Sequence, residues 1–153
     1  MRISAKADYA VRAAAELAAA STTGRPVKGE QLAAAQGIPP RFLENILADL
    51  RNTGLLQTRR GADGGYALTR APSEISVAEV LRAVEGPLAA VQGSRPEDLH
   101  YEGAAARLPK VWVALRANLR AVLERVSLAD LAAGTLPESV ARLTTTADAW
   151  QPH

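Results

Sequence analysis

Apolar residues recur at helical spacing along most of this chain and change to short alternating runs only once. Tyr9, Ala10, Ala13, Ala14, Leu17 and Ala18 share one face, Lys6, Asp8, Arg12 and Glu16 punctuate it, and Ser4 stands where a cap would. This predicts a first helix ending near Ala20. Residues 21–26, STTGRP, read as a loop. A short helix over about 29–36 follows, expected to bury Leu32 and Ala35, with Gly37 placed to end it in the left-handed region.

Pro39-Pro40 then resets the direction, because proline suits the first turn of a helix and not its interior. A third helix is predicted over 40–52, with Leu43, Ile46, Leu47 and Leu50 inward and Arg41, Glu44, Asn45, Ala48 and Asn52 outward. Residues 55–59, LLQTR, and 66–68, YAL, read as paired strands. Their connection, RGADGG, is rich in residues that tolerate positive φ. Helix, turn, helix and basic hairpin is the order of a winged helix-turn-helix.

Downstream, Ser76 and Glu79 form a capping box, with Ile75 and Val80 as a hydrophobic staple, for a helix over 77–85 that Gly86-Pro87 stops. Residues 88–107 are ambiguous: Gly93, Ser94, Pro96 and Gly103 point to a loop, and a turn of helix at 104–107 stays open. From 109 to 126 the pattern is helical again, and Trp112, Leu115, Leu119, Val122 and Val126 follow a 3, 4, 3, 4 spacing suited to a partner helix. Ser127 and Asp130 cap a short helix over 128–133. The organisation expected is a winged head (1–86), a loop (87–107), a dimerisation helix with a short return helix (108–134) and a flexible tail (135–153). The fold class is mainly α with a small β-hairpin wing.

Charge sharpens this picture. The formal net charge is only +2, yet residues 1–70 hold ten Lys/Arg against six Asp/Glu and the remainder hold eight against ten. A basic head on a mildly acidic body suits a polyanion partner. With three Tyr, two Trp and one Phe, an aromatic platform for single strands is not expected. No stretch approaches the roughly 18 apolar residues of a membrane span, and no signal peptide is evident, so a cytoplasmic protein with no membrane partner is expected.

In a helix-turn-helix the second helix enters the major groove. Arg41 can donate two bonds to guanine, Asn45 can pair with adenine, and Glu44 can accept from cytosine N4. Arg59 and Arg60 suit a narrow minor groove, and Gly61, Gly64 and Gly65 would let the wing backbone lie close to a duplex. Lys6 and Lys28 complete the candidate DNA-binding set. The competing reading of the same elements is a winged helix that binds a protein partner instead of DNA.

Catalysis finds no support. There is no Gly-x-Ser-x-Gly, His-Glu-x-x-His or phosphate loop, and GADGG lacks the strand-before, helix-after context of a nucleotide fingerprint. Cysteine is absent, which excludes disulfides and thiolate metal sites. His100 with Tyr101, Glu97, Asp98 and Glu102 lacks a ligand spacing and reads as a solvated acidic loop; His153 is terminal and unpartnered. No cofactor and no metal site is expected.

The opening MRISAKADYAVRA, the segment GIPPRFLENILADLRNTGLL, the wing RRGADGGYAL, the helix ISVAEVLRAVEG and the segment VWVALRANLRAVLERVSLADLA together resemble a bacterial family of winged-helix repressors. That family includes the iron–sulfur regulator IscR, the nitric-oxide sensor NsrR and the cysteine-metabolism regulator CymR. The resemblance covers about residues 1–134. It implies a homodimeric transcription factor whose long helices cross, placing two recognition helices on a palindromic operator, with a small-molecule or protein effector as its signal. One departure matters: cluster-binding members carry three cysteines after the ISVAEVLRAVEG-type helix, and here residues 88–107 offer none. An iron–sulfur cluster held in that way is ruled out. Asp8, which stands where some members supply a carboxylate ligand, is then expected to be a surface or interface charge.

Overall fold

Alanine dominates the first helix, and that choice sets how closely everything else can approach it. The computed structural model describes residues 2–152; Met1, which opens the amino-terminal motif, and His153 lie outside the described residues. Helix α1 (Ala5–Ala20) is capped by Ser4, whose Oγ accepts from the Ala7 N–H at 3.0 Å. Its buried face is Ala7, Ala10, Ala13, Ala14, Leu17 and Ala18. With side chains this small, α1 serves as the central post on which other helices lean.

Helices α2 (Gly29–Gln36) and α3 (Pro40–Asn52) form the helix-turn-helix, with Gly37 at φ 60 between them. The inward residues of α2 are Leu32 and Ala33; Ala35, expected inside, is exposed. The reason lies just past the helix end. Gly37 turns the chain back, the Ile38 N–H bonds the Ala33 carbonyl at 3.0 Å, and Ile38 fills the place a continuing helix would have given to a later residue. In α3, Leu43, Ile46, Leu47 and Leu50 are all buried, as their spacing requires. Removing each from water stabilises the fold by about 1.5–3 kcal/mol.

The wing consists of antiparallel β1 (Leu56–Arg59) and β2 (Gly65–Leu68), registered Leu56 to Leu68 and Arg59 to Gly65. A third piece of chain joins it: Val27 and Tyr66 exchange backbone hydrogen bonds of 2.9 and 2.8 Å. This bridge fixes the wing beside the start of α2. Helix α4 (Val77–Glu85) carries the anticipated capping box, with Ser76 and Glu79 each satisfying the other's backbone N–H, and both staple residues, Ile75 and Val80, lie in the core.

The long helix α5 (Leu108–Leu123) is followed by α6 (Leu128–Ala133), capped by Ser127 and Asp130, and by a single helical turn α7 (Glu138–Ala141). Helix α5 ends earlier than its apolar spacing suggests. Val126 lies beyond it, its carbonyl accepting from the Val77 N–H at 2.9 Å, and its side chain is buried with Val77 and Val140. Val126 is thus a core residue of one chain and not an available seam position. Where a loose tail was expected, Val140 of α7 closes this second small core, and short 3₁₀ turns continue to Trp150, whose indole N–H bonds the Thr144 carbonyl at 2.8 Å. Among the described residues no helix is long and apolar enough to cross a membrane.

Candidate nucleic-acid interface

The buried leucine face of α3 decides which of its residues face solvent. Arg41, Glu44 and Asn45 are all exposed, and none makes a side-chain hydrogen bond or ion pair among the described residues. Other polar groups nearby are engaged. Asp49 at the back of the same helix holds Lys6 at 2.7 Å, so this lysine braces α1 to α3 and its charge is already paired. Arg12 lies over the Tyr9 ring, pairs with Asp8 at 3.0 Å and donates to Gln36 at the end of α2. Tyr9 in turn meets Phe42 edge-on at 5.6 Å. Helix α3 is therefore held from behind, while Arg41, Glu44 and Asn45 stay exposed and unpaired among the described residues.

Between the wing and the start of α2 lies a basic cleft of about 710 Å3. Arg25, Lys28, Arg59 and Arg60 line it, opposed there by a single carboxylate, Asp63. Arg25 was not singled out in the sequence. It stands in an unremarkable loop that the Val27–Tyr66 bridge draws to the wing. The Arg59 guanidinium reaches the Gly24 carbonyl at 3.5 Å, and Gln31 accepts from the Lys28 N–H at 3.1 Å. Lys28 also borders a neighbouring cleft shared with Glu44 of α3, so α3, the start of α2 and the wing meet around this lysine.

The wing glycines separate into two kinds. Gly61 sits at φ 107 with open space where a Cβ would be. Gly64 and Gly65 are required by the chain itself: a Cβ on Gly64 would lie 2.4 Å from the Arg59 carbonyl oxygen, and one on Gly65 would lie 2.5 Å from that of Val27. Gly65→Ala is expected to destabilise the protein by about 1–3 kcal/mol, because strain at φ 151 adds to the clash. Wild-type stability in urea for this variant would contradict the packing role.

Along α5, Arg116 pairs with Glu97 at 2.6 Å, and Glu124 is shared by Arg120 at 2.9 Å and Arg82. The Arg116 hydrogen bond holds Glu97 below the usual carboxylate range, and Arg120, then Arg82, do the same for Glu124. Asp8 is exposed and pairs with Arg12 at 3.0 Å.

Residues 3–134 match the model of the Rrf2 family, described as an iron-dependent transcriptional regulator. A candidate HTH-type transcriptional regulator of Mycobacterium tuberculosis is 54% identical over 143 residues, spanning 94% of this chain and 88% of that protein. The HTH-type transcriptional regulator CymR of Bacillus subtilis is 34% identical over 135 residues, 88% of this chain and 92% of its own. The solved structure of CymR, titled the global cysteine regulator of B. subtilis, superposes with a TM-score of 0.73 at 32% identity, covering 88% of this chain and 98% of that one. IscR of T. potens gives 0.71 at 30% identity, covering 88% of each.

Iron is the one family attribute for which the residues provide no donor set. The chain has no cysteine, Glu97 is committed to Arg116, and no group of three or more His, Cys, Asp or Glu among the described residues is placed to hold a metal ion. A thiolate-held iron–sulfur cluster does not fit this chain. The helix-turn-helix, the wing and a match that runs through α6 nevertheless agree, and the chain belongs to the Rrf2 family of transcriptional regulators.

Proposed function

We propose that this protein is a homodimeric, sequence-specific DNA-binding repressor that acts in the cytoplasm on a palindromic operator, without a cysteine-ligated cluster. The observation that carries this reading is the contiguity of two unlike surfaces around Lys28. Free hydrogen-bonding side chains on α3 lie beside a concave run of cations on the wing. The first is suited to base edges and the second to phosphates and a narrow groove. Arg41 and Asn45 read sequence, Glu44 accepts from cytosine, and Lys28, Arg59 and Arg60, with Arg25, supply charge. Lys6, paired with Asp49, contributes by holding the helix.

Dimerisation is supported by α5. None of its sixteen residues is buried within one chain, although Val111, Trp112, Val113, Leu115, Leu119 and Val122 are apolar. Trp112, Leu115, Leu119 and Val122 are half-buried, while Val111 and Val113 are exposed, so the partner's face is shifted toward Val111. Two heads held this way would address half-sites about one helical turn apart, or a multiple of it.

Sequencing the genomic fragments captured by the purified protein over a series of salt concentrations tests the whole reading. A palindromic consensus with steep salt dependence is expected; salt-insensitive capture of one protein and no DNA would favour the protein-interaction alternative. Within that consensus, Arg41→Ala or Asn45→Ala should relax preference at one base pair and cost about 1–3 kcal/mol. Arg60→Ala should weaken all sequences more evenly and lower the salt slope by about one. Unaltered isotherms for both kinds of variant would remove these residues from the interface.

A further inference from the structure

A second cleft, of about 560 Å3, lies under α5 on the flank of that helix away from Val111, and it has an unusual charge composition. Arg82 of α4, Arg95 of the following loop, and Arg116 and Arg120 of α5 all line it. Four guanidinium groups are thus gathered from three separate parts of the chain. Two carboxylates answer them: Glu97 holds Arg116, and Glu124 is divided between Arg120 and Arg82. Arg95 is exposed and forms no salt bridge among the described residues, and its charge acts only at longer range on Glu97. Two positive charges remain uncompensated. Each guanidinium has five N–H donors in a fork matched to oxyanions, so a carboxylate shared by two arginines leaves donors unused.

The adjoining turn shows a further peculiarity. Ala89 and Gln92, neither of them glycine, occupy the left-handed region at φ 55 and φ 50, immediately after the Gly86–Pro87–Leu88 wall of the cleft. Side chains with a Cβ avoid this conformation, and such positions concentrate at ligand sites and switch segments.

We propose that this cleft binds a small doubly charged oxyanion, either free or as the phosphate or sulfate group of a metabolite. A dianion would neutralise the excess charge, and bidentate contacts would engage Arg95 together with the spare donors of Arg116, Arg120 and Arg82. The cleft volume falls within the range of small-molecule sites. Because Arg82 belongs to the winged head and Arg116 and Arg120 to the long helix, an occupant ties the two together and shifts how far apart two heads stand. That effector role rests on the DNA-binding reading above; the binding itself does not.

The test begins with the full chain and no DNA, titrated with sulfate and with inorganic phosphate against chloride at matched ionic strength and followed by calorimetry. Saturable binding at one ion per chain is expected. Arg95→Gln, whose side chain has no ion pair to lose, should weaken it by roughly tenfold or more, as should Arg116→Gln, whereas Arg60→Gln should leave it unchanged. Binding no different from chloride, or binding lost in Arg60→Gln and retained in Arg95→Gln, would overturn the site. A phosphate monoester that binds more tightly than inorganic phosphate identifies a metabolite as the occupant, and the reverse order identifies the free ion. Finally, sulfate at constant ionic strength should change capture of DNA by the wild type and not by Arg95→Gln; an equal change in both would overturn the effector role.

Discussion

Ile46→Ala is expected to destabilise this protein by about 2–5 kcal/mol, a large share of the roughly 5–15 kcal/mol that holds an ordinary domain together. Ile46 has no exposed surface, and it lies with Leu43, Leu47 and Leu50 on the inner face of α3, in the same core as Ala10, Ala14 and Leu17 of α1. Alanines across the interface cannot extend to fill the space left behind, so the cavity term adds to the lost burial. Urea unfolding should show a lowered midpoint with an unchanged slope. Arg41→Ala, on the exposed face of the same helix, should remain within about 0.5 kcal/mol of wild type. A similar small loss for Ile46→Ala would mean that α3 is not packed on α1 through this face.

Val111→Asp should have the other large effect, and on a different quantity. Val111 is 55% exposed in the single chain, so an aspartate there disturbs little within one fold. If α5 crosses a second copy, the same aspartate places a charge in an apolar contact. Sedimentation should then show monomers at micromolar concentration. Affinity for a palindromic operator should fall by about 10²–10⁴-fold, the gain that linking two half-site contacts provides. Binding of a single half-site should be nearly unaffected, because Arg41, Glu44 and Asn45 belong to α3 and not to α5. A variant that stays dimeric, or that loses half-site and palindrome affinity together, would exclude α5 as the seam.

Much of the winged head was legible in the residues. Ser4, Gly37, Pro40 and Ser76 mark helix ends, and each acts through atoms within four residues of itself. The leucine spacing of α3 fixed its inward face, and with it the exposure of Arg41, Glu44 and Asn45. Other features depended on long-range pairing, which periodicity does not encode. Val126 continues the apolar spacing of α5, yet its backbone bonds Val77 across the fold and draws its side chain inward. Val140, in a stretch of weak local pattern, gains its place from the same small core.

Charge partners show the same division most clearly. The chain by itself determined that the amino-terminal half is basic, that no thiolate exists, and that arginines stand at the wing and along the long helix. Only the tertiary structure decided which of those cations are free. Lys6, counted with the DNA-binding set, is held by Asp49, whereas Arg25 is brought to the wing by the Val27–Tyr66 bridge. Arg82, Arg95, Arg116 and Arg120, spread over nearly forty positions, converge on one cleft. Capping and helix faces follow from neighbours along the chain, within the few ångströms that backbone geometry spans. The electrostatic role of a side chain follows from neighbours in space, and those are set only when the helices pack.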